Sequence, residues 1–409
     1  MLRVIAFLLA AAPITAQTGI PASEFPQRRA ELRKSLDGIL VLFGAREETR
    51  DGFFQEPNFL YLTGWTRPGA VLLLTPKEEI LLLPPKNPRR ELYDGRLGAP
   101  DDPDIRSFTG FDQVAPLHAL TPRLLSLLEA YGKVYFLGRP PQSEELRRLL
   151  SFHEVGDARL MLARLRMKKS PAEIALLERA TEATLAAHRA AWNRIAPGLY
   201  EYEVAAIMSY EYRMRGCERH AYPPIVGSGP NSVILHYNQN RRRMDSGDLL
   251  VMDVGAECSG YAADITRTVP VNGKFTPRQR EIYEIVLGAQ EAAIAAVKPG
   301  IKYSELNEIA KKFVNSRGKD RKGEPLGKYY LHGLGHHIGL EVHDATDPDL
   351  TLAPGMVFTI EPGLYLAEEG IGVRIEDMIL VTEKGARILS DSLPRDPDAI
   401  EKAFASRRP

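Results

Sequence analysis

Short apolar runs punctuated by turn residues fill the amino-terminal third of the chain, whereas the remainder alternates long runs of helical apolar spacing with strand-like runs. Residues 38–43, 59–63, 70–74, 80–83 and 134–137 have the compact apolar character of strands. The stretch Thr75-Pro76-Lys77-Glu78-Glu79 is a hairpin connection between two of them. Residues 122–130 and 143–150 carry helical spacing, so residues 17–160 are predicted to form a small α/β domain.

A boundary is expected within residues 159–170. Ser170-Pro171-Ala172-Glu173 is a helix start, with serine as cap, proline at the first position and glutamate at the third. The run 174–192 that comes next is long and amphipathic, and 282–297 and 303–314 repeat that character. Helices alternating with antiparallel strands make residues 161–409 an α+β domain. After Leu393 the chain is charged and contains Pro394 and Pro397, leaving room for a short terminal helix. Residues 1–16 belong to targeting: Arg3 gives a basic start, Val4 to Ala12 an apolar run, and Ala16 a small residue before Gln17. They read as a secretory signal peptide cleaved near Ala16, which implies a periplasmic or secreted protein. The run is too short to be a permanent membrane anchor, which needs ~20 apolar residues.

Composition narrows the classes. Balanced charge, 53 basic against 53 acidic residues, gives no electrostatic reason to expect nucleic acid as a partner, and Arg241, Arg242 and Arg243 read as a solvated turn. The two cysteines, Cys217 and Cys258, allow at most one disulfide. Cys258 falls in a predicted turn, and both are expected to be free thiols.

The chemistry lies in the second half. The segment LLVMDVGAECSGYAADITRTVPV reads as two strands around a turn at residues 257–260, with Asp253 and Asp264 equidistant from its midpoint. A regular hairpin would set the aspartates opposite each other, their β-carbons ~4.5–5.5 Å apart, and like charges so placed repel. A cation between them is the expected remedy. Two further blocks come later, HGLGHHIGLEVHD with His332, His336, His337 and His343, and FTIEPGLY succeeded by GVRIED with Glu361, Tyr365, Arg374 and Glu376. Alternation places Arg374 and Glu376 on one face. Four carboxylates balance two divalent cations, and an arginine would offset the further negative charge of a hydroxide. Oxygen-rich ligands with one imidazole suit manganese first, with cobalt or zinc as alternatives.

The order Asp, Asp, His, Glu, Glu within DVGAECSGYAAD, HGLGHHIGLEVHD, TIEPGLY and GVRIED resembles the pita-bread metallopeptidases, most closely their Xaa-Pro aminopeptidase and prolidase branch. Upstream, VGSGPNSVILHY matches the family block carrying a substrate-side histidine, here His236, and QEPNFLYLTGW with AVLLLTP resembles the family's smaller amino-terminal domain. The resemblance implies that Asp253, Asp264, His336, Glu361 and Glu376 hold two divalent metals, with Asp264 and Glu376 bridging.

The chemistry implied by the resemblance is metal-assisted hydrolysis of the bond before a penultimate proline. His236 and His343 would donate hydrogen bonds to substrate and intermediate, Glu361 would shuttle the proton, and His332, Tyr365 and Arg374 would be substrate-side residues. Partners are then peptides with proline second, and a homodimer or homotetramer is expected, the amino-terminal domain shaping access and assembling subunits. A prolidase acting on Xaa-Pro dipeptides is the nearest alternative. A metal-free pita-bread binding protein is the more distant one.

Overall fold

The computed structural model describes residues 18–46, 52–138 and 144–407. The expected signal segment lies outside them. Contacts divide the chain into two compact units, between Leu165 and Arg166.

The first unit is built on a six-stranded sheet. Its strands are β1 (Ile39–Phe43), β2 (Val71–Leu74), β3 (Glu79–Leu83), β4 (Val114–Pro116), β5 (Lys133–Phe136) and β6 (Glu154–Asp157), in the order β4-β3-β2-β1-β5-β6. Neighbours β1, β2 and β3 pair antiparallel, and β4, β5 and β6 add on in parallel. Alternate residues Ile39, Val41, Val71, Leu73, Ile80 and Leu82 line one face and pack against Leu124, Leu127 and Leu128 of the helix Leu120–Tyr131. The run 59–63, expected as a strand, is instead helical within Pro57–Thr63. The caps outweigh the apolar run: Glu56 accepts from the Phe59 N–H at 2.6 Å, Pro57 occupies the first turn, and Gly64 closes the helix in the left-handed region.

The second unit carries four long helices, Pro171–Trp192, Glu201–Met214, Pro277–Ala296 and Tyr303–Ser316, around small antiparallel sheets. Ser170 caps the first as its sequence predicts, accepting from the Glu173 N–H at 3.2 Å while Glu173 accepts from the Ser170 N–H at 2.9 Å. The strands are β7 (Arg219–His220), β8 (Ile225–Ser228), β9 (Leu249–Val254), β10 (Ala256–Cys258), β11 (Tyr261–Ala262), β12 (Ile265–Pro270), β13 (Val357–Ile360), β14 (Gly363–Leu366), β15 (Ile371–Arg374), β16 (Asp377–Thr382) and β17 (Gly385–Ile388). They form the sheets β12-β9-β8, β11-β10-β7, β13-β16-β17 and β14-β15. Buried residues run unbroken through β9 and β12, as expected of strands covered on both faces.

One expectation fails here: Cys217 and Cys258 are not free but form a disulfide. Pairing of β7 with β10 brings the chain just before β7 beside the end of β10, with the two Cα atoms 4.3 Å apart. The bond ties the segment after the Glu201–Met214 helix to the hairpin that carries the aspartates. The arginine turn also differs, since Arg242 is not merely solvated: its guanidinium donates to Ser228 Oγ at 2.8 Å and to Asp245 at 2.9 Å, and it pairs with Asp248.

Candidate metal centre and active site

The aspartate hairpin turns one residue later than its sequence midpoint suggests. Cys258 pairs with Tyr261 across a two-residue turn in which Ser259 and Gly260 have φ of 53° and 80°. Positive φ at both positions gives the turn type whose twist matches antiparallel strands, and glycine adopts it without steric cost. The register therefore sets Asp253 opposite Thr266, and Asp264 becomes its diagonal neighbour on the same face rather than its direct partner.

Tyr222, unmarked in the sequence apart from its place before Pro223 and Pro224, stands between the two aspartates. Its hydroxyl contacts Asp253 Oδ1 at 2.6 Å and is also bonded to Asp264 Oδ1. One phenol proton serves only one carboxylate, so the second must carry a proton or face a cation. Enclosure, and then the Asp253 charge, push the Tyr222 phenol well above its ordinary range, which keeps it a donor.

Asp264, His336 and Glu376 converge, each offering a ligand atom within 4.8 Å of the others. His336 Nε2 lies 3.4 Å from Asp264 Oδ2 and 3.5 Å from Glu361 Oε1, which brings Glu361 into the same cluster. Asp253 is turned toward Tyr222 and toward Arg374, whose Nη2 donates to its Oδ2. Thus the structure draws Asp264, His336, Glu361 and Glu376 together and places Asp253 at their edge, all but Glu376 lining one cavity of about 510 Å³ with His236, His332, His343 and Arg374.

Backbone geometry places these side chains. Gly335 has φ of 150°, and a β-carbon there would meet the Thr359 carbonyl oxygen at 2.4 Å. Its absence lets the His336 N–H reach Thr359 Oγ1 at 3.2 Å and the Thr359 N–H reach the His336 carbonyl at 2.8 Å, fixing the imidazole against β13. Arg374 ends β15 and Asp377 opens β16, so Glu376 sits in the break between them, where its Oε2 accepts from Thr266 Oγ1 at 2.7 Å.

Arg374 pairs with Asp253, while the carboxyls of Asp264, Glu361 and Glu376 crowd together around His336. Burial first, and then the charges of Asp253 and Glu361, push the Asp264 carboxyl well above the usual range. Burial and then the Asp264 charge do the same to Glu376, and burial and then the Glu376 charge to Glu361. Glu376 Oε1 is buried with no hydrogen-bond partner among the described residues. Carboxylates held this close and this dry call for a cation. The donor set of oxygens plus one imidazole fits divalent metal.

The substrate-side expectations meet a more definite arrangement. Arg374 Nη1 donates to the Tyr365 hydroxyl at 2.7 Å, that hydroxyl lies 2.7 Å from His332 Nε2, and His332 Nδ1 lies 2.7 Å from the Gly333 carbonyl. The consistent tautomer has Tyr365 donating to Nε2 and Nδ1–H donating to Gly333. Burial first, and then the Arg374 charge, lower His332 to about 4, so the ring stays neutral near pH 7. His332 and Tyr365 therefore use their polar atoms on each other; of the two, His332 lines the cavity and Tyr365 is buried. His236 and His343 are exposed at its edge, with the His343 ring 4.1 Å from that of His336. Beside His343, buried Asp344 holds Lys169 at 2.7 Å and also pairs with Arg166.

Residues 175–383 match the family model described as Metallopeptidase family M24. The chain belongs to metallopeptidase family M24. Its residues 25–135 match the model described as Aminopeptidase P, N-terminal domain. Among relatives of this family member, the Xaa-Pro aminopeptidase of Haemophilus influenzae is 36% identical over 93% of this chain and 97% of its own. The Xaa-Pro dipeptidase of Pyrococcus furiosus is 43% identical, but over only 55% of this chain and 64% of its own. The solved aminopeptidase P from E. coli superposes with a TM-score of 0.86 at 32% identity, covering 95% of this chain and 99% of that one. The fold is accordingly the α+β pita-bread catalytic domain preceded by a smaller α/β domain.

Proposed function

We propose that this family M24 member is a Xaa-Pro aminopeptidase that releases the first residue of peptides with proline second, using two divalent metal ions. The observation that carries the activity is the convergence of Asp264, His336, Glu361 and Glu376, the first three of them lining a cavity edged by His236 and His343. The match to aminopeptidase relatives along nearly the whole chain supports it over a dipeptidase, whose similarity stops at about half. Asp253, Asp264 and Glu376 would hold one ion, and Asp264, His336, Glu361 and Glu376 the other. Manganese is the proposed metal.

Bound divalent metal supplies Lewis acidity, lowering the pKa of a water toward neutrality and polarising the scissile carbonyl. The chain's own residues do the rest. His236 and His343 donate hydrogen bonds to the substrate carbonyl and to the tetrahedral oxyanion formed from it. Glu361 holds the proton taken from water at a carboxylate oxygen and delivers it to the departing prolyl nitrogen. Proline lacks an N–H, so ring packing rather than a hydrogen bond must recognise it. The His332 ring, held by the Tyr365 hydroxyl, offers that surface. Arg374 is engaged by Asp253 and Tyr365, which leaves it balancing charge rather than clamping a dipeptide carboxylate.

Export to an oxidising compartment is part of the proposal. It is supported by the signal-like residues 1–16 and by the disulfide Cys217–Cys258. Self-association into a dimer or tetramer is proposed with it. The deciding experiment compares kcat/KM for Ala-Pro, Ala-Pro-Ala and a longer Ala-Pro peptide under manganese. Tripeptide and longer substrates are expected to be cleaved at least as efficiently as the dipeptide. Hydrolysis confined to Ala-Pro would make the protein a dipeptidase.

A further inference from the structure

Glu201 opens the Glu201–Met214 helix and is completely buried. Its carboxylate accepts hydrogen bonds from five donor groups of a single stretch of chain. Oε1 takes the Ser228 N–H at 2.7 Å, the Ser228 hydroxyl at 2.8 Å and Asn231 Nδ2 at 3.1 Å. Oε2 takes the Tyr237 hydroxyl at 2.9 Å and the Arg242 N–H at 2.9 Å. The Glu201 backbone N–H also donates to the Arg242 carbonyl at 3.0 Å. His236 lies inside this stretch, next to Tyr237. No hydrogen bond among the described residues holds the His236 ring, so its place is set by its backbone. From the other side, the Leu235 carbonyl accepts from Arg374 Nη2 at 3.4 Å, and the Gly372 N–H donates to Ser232 Oγ at 2.9 Å.

We propose that Glu201 is a positioning residue that holds residues 228–242 in one conformation and thereby sets His236 at the cavity edge. The role given to His236 rests on the peptidase reading; the hold of Glu201 on the loop does not. The acceptor-only chemistry of a carboxylate is what the five donors require. The helix start adds partial positive charge beneath it. Glutamine keeps the shape but turns an NH2 toward donors on one side, so Glu201→Gln breaks one set of bonds without opening a cavity.

Two measurements test this. The first needs no catalysis: hydrogen exchange of the folded full chain. Glu201→Gln is expected to speed exchange in residues 229–241 by about tenfold or more while β9 amides are unchanged. Unchanged loop exchange, or acceleration spread equally over the domain, overturns the proposal. The second is a double-mutant cycle with His236→Ala, read as kcat/KM on Ala-Pro-Ala with metal content measured in each variant. Glu201→Gln alone is expected to lose about tenfold or more, and less than about twofold in the His236→Ala background, with metal content constant. Equal losses in both backgrounds, or a fall in metal content, overturn it. If Glu201→Gln does not fold, Tyr237→Phe removes one of the five donors and leaves four, and the same two outcomes decide. A wild-type chain that cleaves no peptide would refute the peptidase reading, while the exchange arm would still decide the role of Glu201.

Discussion

Arg374 points Nη2 at Asp253 Oδ2 and Nη1 at Tyr365, so one planar guanidinium joins the acidic cluster to the Tyr365–His332 pair. A lysine ammonium is a single point charge and cannot span both. Arg374→Lys is expected to keep the fold and bound metal but to lower kcat/KM by about 10- to 100-fold, the cost of one hydrogen bond to a charged partner. Steady-state kinetics with metal analysis checks this. Unaltered kinetics would mean that Arg374 does not couple the two groups.

The disulfide closes a loop of 41 residues in sequence. In the chain-entropy account such a closure contributes about 4 kcal/mol. Cys258→Ala is thus expected to lower the melting temperature by about 8–15 °C at this domain size, while kcat at 25 °C falls little, because neither sulfur offers a ligand atom to the cluster. Mass spectrometry of the intact chain with and without reductant, alongside the melts, checks it. A variant that melts with the wild type would show that the bond is unimportant in solution.

Acid stability has an identifiable contributor. His188 is fully buried beneath β12, its Nε2 3.1 Å from the Ile265 carbonyl. Burial first, and then the Arg267 charge, lower it from 6.5 to about 3. Between those values the unfolded chain binds the proton and the folded chain does not, so stability falls as pH drops below about 6.5. At pH 5 the loss is about 2 kcal/mol. His188→Gln keeps a donor for Ile265 and does not titrate, so its denaturation midpoint is expected to change less between pH 7 and pH 5. Parallel slopes for the two proteins would count against His188.

Asp344 is paired inside the protein with Lys169 and Arg166, all three side chains 1% exposed. Removing the acid leaves two cations buried together. Asp344→Ala is expected to destabilise the fold by about 3–5 kcal/mol, and to impair activity through the adjacent His343. A urea titration giving a change below about 1 kcal/mol would contradict this.

Much of this site is readable in the sequence because its residues are costly where they stand. Asp253, Asp264, Glu361 and Glu376 interrupt apolar runs, and a carboxylate in such a run needs a reason. Tyr222 carries no such mark, since a tyrosine before two prolines is ordinary, and its role emerges only when two strands bring the aspartates to it. The disulfide is hidden for a related reason: Cys217 and Cys258 lie far apart in sequence, and only the β7–β10 pairing makes them neighbours. The hairpin is displaced from its sequence midpoint because symmetry alone ignores which residues accept positive φ, and Ser259-Gly260 does so in the structure. At residues 59–63 apolar character points to a strand, but the Glu56-Pro57 start and the Gly64 stop decide for a helix.

The central claim is that the Asp264, His336, Glu361 and Glu376 cluster is a metal centre that cleaves the bond before proline. The most direct test measures release of alanine from Ala-Pro-Ala by chelator-treated protein, confirmed metal-free by elemental analysis, before and after manganese is restored. Release is expected to vanish in the stripped protein and to return with manganese. Full activity in the metal-free protein would contradict the account.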